Sequence, residues 1–248
     1  MKITKVLLVV LVGSFMIIGP TYPASISKKE IPSSIPSEIR AEIEKLFSND
    51  SEERARGIWR LGEMGRKAAA AVPFLIELLN NGDSQIQYQA GYALAKIGKP
   101  ATLPLISMLK DEKSWLLRLY IIYTLGEIGD ARAAEYLLIA LKDEDPDIRS
   151  VAAWGLGKIK DAQALPLLIE ALKNDKSWYV RMYTAGALGE IKDLQGVLPL
   201  IEALRDCVIE IQETAAWALG EITGRQPYGK DIKEWQDWWE KEKDRLNQ

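Results

Sequence analysis

The hydrophobic pattern of this chain repeats itself. Aligned on a Leu-Gly pair, six segments share one spacing of small and apolar residues. They centre on Leu61-Gly62, Leu94-Ala95, Leu125-Gly126, Leu156-Gly157, Leu188-Gly189 and Leu219-Gly220. Successive centres lie 33, 31, 31, 32 and 31 residues apart. Three places after each Leu comes Met64, Ile97, Ile128, Ile159, Ile191 or Ile222. Eight places before it comes Ile86, Leu117, Ile148, Val180 or Ile211, with Glu53 the exception in the first copy. Positions −8, −4, 0 and +3 fall on one face of a helix with 3.6 residues per turn, so each segment predicts an amphipathic α-helix. Asp50, Asp83, Ser114, Asp145 and Ser177 stand just before this face, where a side-chain oxygen caps free helix amides.

Each of the first five copies crosses a short Gly/Asp/Lys turn into a second apolar run, at 75–79, 105–109, 137–141, 168–172 and 200–204. One helical pair cannot bury its apolar face alone, whereas stacked pairs share a continuous core. The pattern therefore predicts an all-α fold, an α-solenoid of about six helical pairs over residues 50–224. Its ends need covers. In "SEIRAEIEKLFSND", Ile39, Ile43 and Leu46 form one stripe, the expected N-terminal capping helix. The sixth copy lacks a second run and continues as "TGRQPYGKDIKEWQDWWEKEKDRLNQ", with Trp235, Trp238 and Trp239 on one stripe. Residues 225–248 read as the C-terminal cap of a repeat domain spanning 37–248.

Lys2 and Lys5 precede an apolar run, Val6–Ile18, that is too short to span a bilayer comfortably. Residues 1–27 are expected to be an export signal or a short N-terminal anchor, and 28–36 a Pro/Ser-rich tether. The expectation is thus an exported protein, periplasmic, extracellular or held at the cell envelope, touching membrane only through an uncleaved N-terminus.

The segments "DPDIRSVAAWGLGKIKDAQALPLLIEALKND" and "VRMYTAGALGEIKDLQGVLPLIEALRD" resemble HEAT repeats of the short, phycobilisome-lyase-like type (PBS lyase HEAT-like). The resemblance implies an armadillo-type solenoid with the Leu-Gly helices on its concave side, and it specifies an activity poorly. It also implies that matching Arg and Asp ladders pair between neighbouring units. Here those would be Arg54, Arg118, Arg149 and Arg181 with Asp130, Asp161 and Asp193. A phosphate-binding reading of the arginines is the weaker alternative.

Composition removes several chemistries. A chain of 248 residues without histidine has no His-dependent triad, no His-bearing zinc site and no His-Glu iron site like that of the deoxyhypusine hydroxylases, which share this repeat type. Cys207 stands alone, so there is no internal disulfide or cysteine metal cluster. The acidic run Asp143, Glu144 and Asp145 lies in an inter-repeat turn, where solvated charge is the default reading. Formal net charge is −3, which argues against nucleic acid. No catalytic residue, cofactor or metal site is expected, and the protein is read as non-enzymatic.

Aromatic residues gather where a solvated face should be charged. Two places before the central Leu stand Trp59, Tyr92, Tyr123, Trp154, Gly186 and Trp217, and the same side of the helices adds Tyr88, Trp115, Tyr120, Trp178, Tyr179 and Tyr183. Either these rings lie flat over small residues such as Gly91, Gly155 or Gly186 and fill inter-repeat grooves, or they form an inner wall that contacts a partner. Glu63, Lys96, Glu127, Lys158, Glu190 and Glu221 flank them with mixed charge, which suits a protein or peptide. The expected function is a scaffold or adaptor binding a protein partner on this face. The alternatives are a lyase- or chaperone-like subunit acting on a cofactor-bearing protein, and a cell-envelope carbohydrate-binding module.

Overall fold

A computed structural model describes residues 31–110, 114–225 and 229–246. The segment read as an export signal, 1–27, lies outside the described residues. Among the described residues there are thirteen α-helices and no strand. Helix α1 (Ser37–Lys45) opens the stack, and five helical pairs follow. These are α2 (Ser51–Glu63) with α3 (Val72–Asn81), α4 (Ser84–Ile97) with α5 (Thr102–Leu109), and α6 (Trp115–Ile128) with α7 (Ala134–Ala140). Next come α8 (Pro146–Ile159) with α9 (Leu165–Asn174), and α10 (Trp178–Ile191) with α11 (Val197–Ala203). The sixth Leu-Gly helix is α12 (Ile209–Thr223), and α13 (Ile232–Leu246) closes the stack.

The even-numbered helices form one layer and the odd-numbered ones from α3 to α11 the other. The core lies between them. Leu61, Leu94, Leu125, Leu156, Leu188 and Leu219 are all fully buried, and so are Leu75, Leu105, Leu137, Leu168 and Leu200 across from them. The two layers pack differently. Each even-numbered helix lies along the next, whereas odd-numbered neighbours touch sparsely. Glycine makes the close approach possible: a Cβ on Gly157 or Gly189 would fall 2.8 Å from the Cα of Ala187 or Ala218 in the following helix.

Local chemistry sets the helix ends. Carboxylates of Asp50, Asp83 and Asp145 accept the amides of Glu52, Ile86 and Asp147, and the Ser114 hydroxyl accepts that of Leu117. Ser177, also expected to cap, makes no such bond. At the other end Gly98, Gly129 and Gly224 take a positive φ, and Lys160 and Lys192 fill the same place at φ 60. These two lysines occupy a conformation that favours glycine. Their ammonium groups reach into the next repeat, to Glu190 at 3.5 Å and Glu221 at 2.8 Å.

Both terminal covers form. Ile39, Ile43 and Leu46 are buried against the first repeat. Within the stretch read as a tether, 28–36, Ile35 is buried and Ile31 packs on the same core. The Arg40 guanidinium clamps this segment by donating to the carbonyls of Ser33 and Ile35. At the far end Trp235 and Trp239 are buried, and the Trp235 indole donates to the Gly229 carbonyl at 2.7 Å. Arg225 lies over the rings of Trp235 and Trp238, at 5.3 and 5.6 Å from their centres. This tryptophan stripe is a cover, with its surface already spent.

Candidate partner-binding face

Two rows of side chains recur along the Leu-Gly layer, and their geometry separates them. The first is the arginine row. Arg118 meets Asp143 at 3.2 Å, Arg149 meets Asp175 at 2.7 and 2.9 Å, and Arg181 meets Asp206 at 2.8 and 3.1 Å. The arginines therefore do pair between neighbouring repeats, but with other aspartates than the resemblance implied. Asp130, Asp161 and Asp193 instead cap the short 3-10 turns inside each repeat, accepting the amides of Arg132, Gln163 and Gln195.

Each pair is also tied to the backbone. Arg149 Nη1 donates to the carbonyls of Asp143 and Glu144, and Arg181 Nη1 to that of Asp175. The carboxylates of Asp143, Asp175 and Asp206 accept the amides of Asp145, Ser177 and Val208 at the next helix start. Gln212 continues the row by donating to the Asp206 carbonyl, and Arg54 begins it on the Ser48 carbonyl. The Arg181 hydrogen bonds hold the Asp206 carboxyl below its usual range. Burial pushes the Asp175 carboxyl the other way, but Arg149 and the Ser177 amide prevail and lower it. Guanidinium groups committed in this fork geometry are not available to a phosphate.

The ring row divides. Trp59 and Tyr92 are open, at 54 % and 43 % exposure, as are Trp115 and Trp178 at the starts of α6 and α10. Tyr88, Tyr123, Trp154, Tyr179 and Trp217 are half-buried. Tyr120 and Tyr183 depart from the expected wall, being only 5 % and 7 % exposed. Tyr120 sits edge-on to Tyr88 of the preceding repeat, 6.4 Å between centres, and Tyr183 is packed into the C-terminal core. Burial raises the hydroxyls of both, that of Tyr183 to about 12.

Trp154 fills an inter-repeat groove and stays half-buried. Its ring covers Gly126 of the preceding helix, where an added Cβ would meet it at 2.8 Å, and it stacks on Tyr123 at 5.2 Å and 9°. Trp217 covers Gly189 in the same way. The glycines beneath the rings are thus those of the Leu-Gly pairs themselves, not the ones expected. Lys158 lies 5.6 Å from the Trp154 ring centre, as Lys96 lies 5.5 Å from that of Tyr92. These are contacts worth about 0.5–1 kcal/mol at open sites.

What distinguishes the rings is their polar tips. Among the described residues the indole N–H groups of Trp59, Trp154 and Trp217 and the hydroxyls of Tyr88, Tyr92 and Tyr123 make no hydrogen bond, and none is a buried unsatisfied atom. They face solvent. Tyr179 is the exception, donating to Asp147 at 2.9 Å. Ile209, 57 % exposed at the start of α12, shares the register of Trp115 and Trp178 and was missed by a reading confined to aromatics. Its signal was the apolar residue at the first helical position.

These features define an α-solenoid with aromatic residues along its Leu-Gly layer. A model of HEAT repeats matches residues 39–107, 102–182 and 165–231, and the chain belongs to the HEAT-repeat family. No curated protein matches it. Among solved structures it is similar to the complex of CpcE and CpcF of phycocyanin lyase from Nostoc sp. PCC7120, with 26% identity over 60% of this chain and 98% of that one, TM-score 0.54. It shares its fold with a designed armadillo repeat protein in complex with the peptide (KR)4, with 18% identity over 75% of this chain and 100% of that one, TM-score 0.53. An engineered protein shares 23% identity over 76% of this chain and 98% of that one, TM-score 0.51.

Proposed function

We propose that this protein is a non-enzymatic, exported scaffold that holds an extended protein segment against the aromatic face of its Leu-Gly helices. The observation that carries the reading is the set of open rings, Trp59, Tyr92, Trp115 and Trp178, on a layer whose arginines Arg118, Arg149 and Arg181 are committed to aspartates. The closer packing of the even-numbered helices supports reading the stack as bent toward them, with this face on its concave side. Tyr and Trp offer large contact area with little side-chain entropy to lose, as binding hot spots require.

Two similar structures support a protein partner. The CpcE–CpcF structure is itself a complex, and the designed armadillo protein carries a peptide. Export rests on Lys2, Lys5 and the apolar run Val6–Ile18. Panning a random peptide display library against the purified chain tests the binding reading. Enrichment of peptides that Trp59→Ala with Tyr92→Ala no longer retains is the expected result. Enrichment indifferent to those two changes would overturn it.

A further inference from the structure

Two places after the central Leu runs a row of charges, Glu63, Lys96, Glu127, Lys158, Glu190 and Glu221. The last two are neutralised from the preceding repeat. Lys160 and Lys192, the left-handed residues that close α8 and α10, reach Glu190 at 3.5 Å and Glu221 at 2.8 Å. The residue in the equivalent place for Glu127 closes α4, and it is Gly98. Its backbone, at φ 82 and ψ −140, lies outside the left-handed helical well of the two lysines, in a region that only glycine adopts freely. The fold therefore puts no lysine within reach of Glu127. This side chain is exposed, and among the described residues it makes no hydrogen bond or ion pair.

The rings beside Glu127 lack a cation too. In the neighbouring repeats the chain supplies one itself, one helical turn beyond the ring: Lys96 lies 5.5 Å from the Tyr92 ring centre and Lys158 5.6 Å from that of Trp154. Tyr123 has Glu127 in that place instead. Trp154 takes one face of the Tyr123 ring, stacked at 5.2 Å and 9°. Burial chiefly, and the Glu127 carboxylate in addition, raise the hydroxyls of Tyr123 and Tyr88, so the carboxylate lies within electrostatic reach of both. An unpaired carboxylate, phenol oxygens that can accept and ring faces together suit a guanidinium, which forks, donates sideways and stacks. An ammonium, a point charge, has neither the fork nor the plane. Lys96 and Lys158 meet no carboxylate among the described residues, so they oppose a run of basic residues and favour acidic or neutral ones beside the arginine.

We infer that the partner segment presents an arginine to α4 and α6, its guanidinium forked onto Glu127 beside the tyrosine rings, with acidic or neutral residues next to it. The inference rests on the partner-binding reading above. It is tested on the full chain by panning one random peptide display library against the parent, Glu127→Gln and Glu190→Gln. Glu190 is the control because Lys160 already meets it. An arginine that recurs in peptides selected by the parent and by Glu190→Gln, and no longer recurs with Glu127→Gln, is the expected result.

Replacing that arginine by citrulline, its neutral isostere, should weaken binding of the selected peptide to the parent about tenfold or more. The same replacement should change binding to Glu127→Gln by less than about twofold, since the pair is already broken there. Selected peptides without an arginine preference, or a preference that survives Glu127→Gln, overturn the inference. If such peptides still depend on Trp59 and Tyr92, the scaffold reading stands and this one falls. An equal loss with Glu190→Gln would mean general attraction to an acidic chain, and the inference falls then as well. If nothing is enriched, both readings fall.

Discussion

Two rows of side chains run the length of the Leu-Gly layer, and they are built on opposite principles. In the arginine row, Arg118, Arg149 and Arg181 reach across to the next repeat and meet carboxylates fixed by backbone amides. In the ring row, Trp154 and Trp217 rest on Gly126 and Gly189 of the neighbouring helix, Trp59 and Tyr92 are open, and among the described residues the polar tips of these four make no hydrogen bond. Both rows recur with the same period, so recurrence alone cannot tell a strut from a binding surface. Whether a side chain's bonding capacity is already used can.

The comparison holds only while the stack is capped, and uncapping it is the largest perturbation. Deleting residues 231–248 removes Trp235 and Trp239 and bares the apolar end of α12, whose own second helix is missing. Terminal repeats need a polar outer face. The truncated chain should aggregate on size exclusion or melt far lower, and an unchanged melting temperature would mean that α13 is not a cover.

Within the capped stack the arginine row should dominate stability. Arg149→Ala leaves the nearly buried Asp175 carboxylate with the Ser177 amide and little else. The expected cost is about 2–3 kcal/mol by denaturant unfolding, because an uncompensated carboxylate keeps its desolvation penalty. Arg149→Lys should recover little of it, since one ammonium cannot reproduce the fork. Full rescue by lysine would contradict the geometry.

The ring row should split by position. Trp154→Ala uncovers Gly126 and frees Tyr123, and a half-buried indole should cost about 2 kcal/mol, below the roughly 3–5 of a fully buried one. Trp59→Ala, at an open position, should stay within about 0.5 kcal/mol. Equal costs at the two sites would erase the distinction between groove-filling and open rings. Gly186→Ala, whose added Cβ would meet only Thr214 Cγ2 at 3.7 Å, sharpens the point in the other direction, with an expected gain of about 0.5–1 kcal/mol.

The smallest effects should come from acid. Asp130 is lowered from 3.8 to about 2, chiefly by the Arg132 side chain, with Thr102 adding a hydrogen bond at 3.1 Å. Asp175 and Asp206 are lowered as well. A carboxyl depressed in the folded state contributes stability above its unfolded pKa and loses it as pH falls toward the folded one. The melting temperature should therefore decline from about pH 4 down to pH 2, and Asp130→Asn should flatten that slope. A slope unchanged by this substitution would remove Asp130 from the account.

Much of this was legible in the sequence. Periodicity placed all six Leu-Gly helices, and the small polar residue before the helix located the cap in the first four. The register of the arginine partners was not. Asp130, Asp161 and Asp193 recur as regularly as Asp143, Asp175 and Asp206, and a linear pattern does not say which turn lies beside which guanidinium. The 3-10 turns decide it, because they engage the first set as caps. The same limit applied to the rings. A helical wheel puts Tyr120 and Tyr183 on the partner side, yet neighbouring repeats close over them. The contacts of Arg40 with the carbonyls of Pro32, Ser33 and Ile35 likewise leave no trace in composition.

The central claim is that the open rings serve binding and contribute little to the fold. Trp59→Ala combined with Tyr92→Ala tests it most directly, with thermal unfolding and affinity for a display-selected peptide measured on the same preparation. The account predicts a melting temperature within about 2–4 °C of the parent, the shift expected for 1 kcal/mol in a chain of this size. It also predicts binding weakened about tenfold or more, as for a hot-spot truncation. A fall of many degrees with peptide affinity intact would contradict it.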